Sequence, residues 1–344
     1  MLVVSGFIGR ERPTKPNLSG VPTSAPITTF AAAPTAAVAT SPLVTALSRL
    51  DISPVGTTTS IKPGIRPPFE ANLVTLRGAA GVPWLIASAS AAELDLGVGP
   101  IDRIGVAPTG DALVALVHNA AGSRHLVVIS WRGGSRGLTE VPVSGDIDDP
   151  VWSPASDAVA FAFRDERSWQ IGVFDFSTGV VRVIADDPSD DRYPSWSPDA
   201  QMIAFASGRA GTSPSLYTFR MSTGQVASVV LSEDVARSAW TSDGQRLVYE
   251  RSSGTSRELA VISVVNTHSP GTRVTDAAEK LSDPATSLSD DRIIAVESGT
   301  TGSGLVAIDL TTRKTERVTS PGTGDSSPTF VSLTAAETMR RLAT

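Results

Sequence analysis

The chain has 344 residues, 41% of them hydrophobic, enough to bury a sizeable core and to exclude a wholly disordered protein. The net charge of −6, with 25 Arg against 4 Lys and no basic stripe, excludes a general nucleic-acid binder. Having no Cys, the chain cannot form disulfides, iron–sulfur clusters, thiol nucleophiles or cysteine-type zinc sites. Residues 1–9, "MLVVSGFIG", are apolar but shorter than the roughly 20 residues that span a bilayer. They also lack the basic start of a signal peptide, and read either as a short tail or as the stub of an upstream anchor or signal. Residues 10–42 are dominated by Pro, Thr and Ala without helical or strand period, the composition of an extended, solvated linker. "LVTALSRL" (43–50) has the length of two helical turns. The expected division is a disordered linker or stalk over 1–56 and a folded domain over 57–344.

From residue 72 the texture changes to short apolar runs punctuated by Gly, Asp, Asn and Ser, and the runs repeat. "DDPVWSPASDAVAFAF" (148–163), "DRYPSWSPDAQMIAFAS" (191–207) and "DVARSAWTSDGQRLVYE" (234–250) align with one another. Weaker copies are "DRIGVAPTGDALVALV" (102–117), "DPATSLSDDRIIAVES" (283–298) and a half copy, Asp325 followed by "SSPTFVS" (326–332). With Val106, Trp152, Trp196, Trp240, Leu288 and Phe330 as anchors, the period is in the mid-forties. Such a period, with four strands per unit, predicts a β-propeller blade. Each unit contains an anchor strand, a tight turn such as "TSDG", a second apolar run, a third ("QIGVFDF", "SLYTFR") and a weaker fourth. The anchor rings are expected to pack between blades. The runs at 72–78, 83–88 and 92–97 correspond to the second, third and fourth strands of a blade whose first strand begins the unit at Phe330. The fold class is therefore all-β: a six-bladed propeller closed by N- and C-terminal strands. Seven blades would require strands within 43–60, where the pattern is absent.

The pattern in "DRYPSWSPDAQMIAFASGRAGTSPSLYTF", spacing Asp, an aromatic, Ser-Pro-Asp and then Ile-Ala-Phe-x-Ser-x-Arg, resembles the WD-like repeats of the TolB-like propeller family over roughly 72–332. The resemblance implies a periplasmic or cell-envelope module that docks protein partners. Similar repeats form the propeller of prolyl-oligopeptidase-like peptidases, whose hydrolase domain finds no counterpart here.

Catalytic motifs are sparse. "GGSRG" (133–137) matches Gly-x-Ser-x-Gly, but it falls between two predicted strands instead of a strand and a helix, and reads as a hairpin turn. His118, His125 and His268 have no zinc-type spacing, and no P-loop or dinucleotide fingerprint is present. What does recur is an acidic residue three to six positions before each anchor: Asp102, Asp148 or Asp149, Asp190 or Asp191, Asp234, Asp283 and Asp325. At the entrance to the innermost strands these would form a carboxylate ring at the channel mouth. Arg164, Arg209 and Arg251, in loops on the same face, are the expected counter-charges. Such carboxylates either hold Arg and backbone donors or bind calcium, another cation or a basic peptide. The reading is a non-catalytic module for a protein or peptide partner, without nucleic acid or resident cofactor, tethered to the membrane through an upstream segment. Its rivals are a channel-mouth metal-dependent hydrolase or lyase and the sensor domain of a larger envelope protein.

Overall fold

The computed structural model describes residues 72–339 apart from short loop segments (80, 88–89, 119–121, 133–134, 144, 212, 231–232, 254–255, 266–270, 276–279, 288–290, 333–334 and 337–338). The linker, the membrane tether and His268 lie outside the described residues. Strands β1 (Asn72–Arg77), β2 (Val82–Ala87) and β3 (Ser90–Glu93) open the chain. The next blade is β4 (Ile101–Val106), β5 (Ala112–His118), β6 (Arg124–Arg132) and β7 (Ser135–Glu140). Then come β8 (Ile147–Trp152), β9 (Ala158–Arg164), β10 (Trp169–Asp175) and β11 (Val180–Ile184). The following blade is β12 (Asp191–Trp196), β13 (Met202–Ser207), β14 (Ser215–Arg220) and β15 (Val226–Val230). Next is β16 (Val235–Trp240), β17 (Arg246–Ser253), β18 (Ser256–Ser263) and β19 (Thr272–Arg273). The last consecutive blade is β20 (Leu281–Thr286), β21 (Arg292–Gly299), β22 (Gly302–Asp309) and β23 (Thr315–Arg317), followed by β24 (Asp325–Val331).

Five sheets use four consecutive strands, and the sixth runs β24-β1-β2-β3. Strand β24 pairs antiparallel with β1, Phe330 opposite Leu73 and Asp325 opposite Arg77, so the ring closes through both ends of the domain as the repeat count requires. The closing blade's outer strand is Ser90–Glu93, displaced from the apolar run at 92–97, because Leu94 and Leu96 turn inward to the core.

Middle strands such as "AVAFAF" are buried on both faces because each sheet is covered by a neighbour on either side. Six apolar clusters result, one at each blade interface. Trp152 and Trp240 act as interblade staples: their indole N–H groups donate to Gly105 O (3.1 Å) and Ser195 O (3.0 Å) of the preceding blades. In the fifth unit Thr286 takes the anchor position, while Leu288, expected there, lies outside the described residues. Thr286 sits opposite Ile293 as Trp240 sits opposite Leu247, and its hydroxyl donates to Trp240 O. Strands β6 and β7 pair antiparallel around the "GGSRG" stretch, with Arg132 opposite Ser135, so its serine begins a strand, not a helix.

Candidate functional site

The inner strands β4, β8, β12, β16, β20 and β24 surround the axis. In five of them a bulge sets two residues against one on the neighbouring strand, and the third residue of the strand lies within it. In β4 the shift falls one residue earlier, at Asp102. Asp149, Tyr193, Asp283 and Ser327 have positive φ of 50°, 59°, 53° and 49°, and each precedes a proline. Proline has no N–H for the ladder, so it fits where the bulge has already interrupted pairing. The third residues read, in order around the axis, Arg103, Asp149, Tyr193, Arg237, Asp283 and Ser327, a two-fold repetition of Arg, Asp and an uncharged side chain. All six line a cavity of about 430 Å³ along the channel, together with Trp152, Trp196, Trp240 and Phe330.

The four charged members close a loop across the channel. Arg237 meets Asp149 at 2.8 Å and Asp283 at 3.4 Å; Arg103 meets Asp283 at 2.9 Å and Asp149 at 3.8 Å. Ser327 ties in through its backbone N–H to Asp283 (3.0 Å) and by accepting from Arg103 (2.9 Å). Arg192 bonds Asp148 at 3.0 Å and lies over the rings of Trp169 and Tyr193. Below the loop, buried Glu250 accepts the Asp283 backbone N–H at 2.7 Å.

Burial raises the carboxyl pKa of Asp149, although Arg237 opposes it. Glu250 is raised for the same reason. Burial alone would lower the Arg237 guanidinium, but the carboxylates of Asp149, Asp283 and Glu250 outweigh it and hold the group above its ordinary value.

The inner strands thus display alternating charge instead of a continuous ring of carboxylates. Of the eight aspartates singled out from the repeat, only Asp148, Asp149 and Asp283 meet there. Asp102 faces Arg124 (3.1 Å) and His118 (3.3 Å) on its own blade. Asp190 accepts the Trp169 backbone N–H, and buried Asp191 holds Arg209 at 2.8 Å. Asp234 accepts from Ser252 and Arg257, and buried Asp325 holds Arg77 at 2.8 Å.

The physical reason is register. A window of three to six residues pools side chains that point in different directions on a bulged strand, whereas only a fixed offset of three from the anchor selects the channel. That offset also finds Arg103, Tyr193 and Arg237, which a pattern of acidic residues alone passes over. Of the three arginines expected in loops, Arg209 lies in one and pairs as expected, whereas Arg164 ends β9 and Arg251 lies within β17, whose hairpin extends past the repeat's apolar run. Arg251 instead bonds Glu258 (2.9 Å) and Glu233 (3.4 Å), and exposed Arg164 makes no ion pair among the described residues. His125 meets Glu140 at 2.7 Å, so both described histidines face a carboxylate. Among the described residues no group of three or more His, Asp or Glu is placed to hold a metal ion.

The fold and channel define a six-bladed propeller with a charge-paired mouth. A family model described as the TolB beta propeller domain matches residues 106–330, and the chain belongs to that family. Its fold is shared by TolB from Acinetobacter baumannii (TM-score 0.64, 18% identity, covering 78% of this chain and 69% of that one). It is also shared by a putative TolB from Agrobacterium tumefaciens (TM-score 0.55, 15% identity, covering 74% and 89%). A chain of a nidogen/laminin complex has the same architecture (TM-score 0.58, 12% identity, covering 76% and 98%).

Proposed function

We propose that this protein is a non-catalytic docking module whose channel mouth receives a protein or peptide partner in the bacterial cell envelope. The observation that carries the reading is the channel cavity: aromatic and proline walls beneath a rim of alternating Arg and Asp. Apolar walls supply contact area, while a rim of both signs selects a partner by charge pattern and register. Family membership supports the envelope location, and a neighbour solved within a protein complex is in keeping with docking. The carboxylates at the rim are engaged by arginines, which suits recognition better than proton transfer or metal capture.

Ser327→p-benzoylphenylalanine, at the rim, is expected to give a discrete photo-crosslinked protein adduct in intact cells, while the same substitution at exposed Arg317 gives none. Equal crosslinking from both positions, or none from Ser327, would overturn the reading. Calcium serves as a control: a calcium-dependent rise in Tm, lost in Asp149→Asn with Asp283→Asn, would replace partner docking by a cation site.

A further inference from the structure

The channel cavity has a second end. At the first, charged residues on blades two apart in the ring, Arg237 with Asp149 and Arg103 with Asp283, cross the axis with their bonds. At the other lie the turns that join each inner strand to the next. Pro108, Pro154, Pro198 and Ser242 of the β4–β5, β8–β9, β12–β13 and β16–β17 turns line the cavity there, all exposed or half-buried, with half-buried Thr286 and Phe330 beside them.

The closing blade has no such turn. Its inner strand β24 ends at Val331, directly opposite Asn72, where β1 begins. Two stretches of chain therefore pass where the other blades carry a turn. The one beyond Val331 is taken up by the joint with the β4–β7 blade, through Ala335, Ala336 and Met339. The one before Asn72 joins the domain at the lip of the opening.

That upstream stretch, "KPGIRPPF" (62–69), matches the cavity in reach, stiffness and charge. Arg66 lies six residues before Asn72, roughly 20 Å of extended chain. Ser327, at the charged end of the cavity, lies four residues before Val331, roughly 13 Å along β24, so the chain is long enough. Pro63, Pro67 and Pro68 favour an extended conformation that loses little entropy on docking against aromatic and proline walls. Lys62 and Arg66 make the stretch basic. Around the axis Asp148, Asp149, Asp283 and Glu250 face Arg103, Arg192 and Arg237, leaving one carboxylate in excess; Arg257, which also faces Glu250, is paired with Asp234. Asp283, in the cavity lining, keeps 21% of its side chain exposed and has room for another guanidinium.

We propose that residues 62–69 of this chain turn back at Asn72 and occupy the channel through its turn-face end, with Arg66 at Asp283 and the prolines and Phe69 against the rim of turns. The segment is a tethered occupant that the docked partner must displace. That displacement rests on the docking reading; the occupancy does not.

Purified full-length protein with Ser242→p-benzoylphenylalanine is expected to give an intramolecular photo-crosslink that peptide mapping places within 62–69. The same replacement at Thr223, in the exposed β14–β15 turn towards the outer edge of that face, should give none. A second measurement does not depend on these substitutions. In full-length protein with 62–69 replaced by Gly and Ser, the peptide acetyl-KPGIRPPF-amide should change tryptophan fluorescence saturably. Wild type should bind it at least about tenfold more weakly, because its own segment competes at an effective concentration of about millimolar. The same peptide carrying Arg66→Glu should bind the Gly–Ser protein at least about tenfold more weakly. Absence of the Ser242 crosslink, an equal one from Thr223, no saturable change by about 10 mM, or equal affinity in either peptide comparison would each overturn the proposal. No partner enters these measurements, so their failure leaves the Ser327 crosslink in cells as the separate test of docking.

Discussion

Arg237 is held between two carboxylates, and Asp149 beside it has a side chain only 7% exposed, so the pairing sits largely out of water. Breaking such a pair leaves an uncompensated charge, whereas an exposed pair such as Arg317–Glu297 exchanges its partner for water. Arg237→Ala is therefore expected to cost about 3 kcal/mol in urea denaturation, and Arg317→Ala less than about 0.5 kcal/mol. Equal costs would mean that the loop across the channel contributes no more than a surface pair. Asp191 makes a second residue-scale case. Burial pushes its carboxyl from an ordinary 3.8 up to about 6, against the bonds from Ser207 and Arg209. Between those values the native state binds the proton more tightly than the unfolded chain does. The associated stability is complete below about pH 4 and is lost as pH rises through 6. Asp191→Asn has no such proton to lose, so its stability relative to wild type should climb between pH 4 and 6. Parallel pH profiles of the two proteins would contradict this; Asp149, shifted the same way, is common to both and cancels.

At the scale of the strand, what the sequence reveals depends on whether a feature is periodic. The turns and apolar runs repeat because every blade must solve the same packing problem, so blade number, closure and the role of the Trp anchors are all readable. Leu288 is the large apolar residue near the expected anchor place of the fifth unit. Thr286 holds the position by hydrogen-bonding Trp240 O, a solution that hydrophobicity does not reveal. The channel is less legible for a related reason. A bulge re-aims side chains without changing the local pattern, so Asp148 and Asp149, adjacent in sequence, take different partners: Arg192 and Arg237. Selecting by residue type collects aspartates; selecting by position collects the alternating rim. Among the described residues the Trp196 indole N–H meets no acceptor, and nothing in the sequence signals this, since it differs from Trp152 and Trp240 only in what surrounds it.

For the whole molecule, a propeller is a ring of interfaces, and each blade is stable because both of its faces are covered. The joint between the closing blade and the β4–β7 blade has an extra component. After β24 the chain places Ala335, Ala336 and Met339, all buried, in the cluster that contains Leu76, Leu85 and Ile104. Ala335 presses so closely on Gly110, a residue at φ +75°, that a Cβ there would lie 2.2 Å from its Cα. Ending the chain at Ser332 removes this wedge but keeps β24. Losing one buried Met and two buried Ala should cost about 3 kcal/mol, with cooperative unfolding preserved. Ending at Gly324 is a different lesion, because it removes β24 itself, unpairs Arg77 from Asp325 and bares the edge of β1 beside the channel. The ring then has an open seam with an apolar strand at its edge, a template for association with other chains. The shorter protein is expected to lose its cooperative urea transition and to elute as large species in size-exclusion chromatography. The same midpoint for the Gly324 and Ser332 proteins would show that β24 is dispensable, and with it the closure on which the channel rim depends: Ser327 and its bonds to Asp283 and Arg103 belong to that strand.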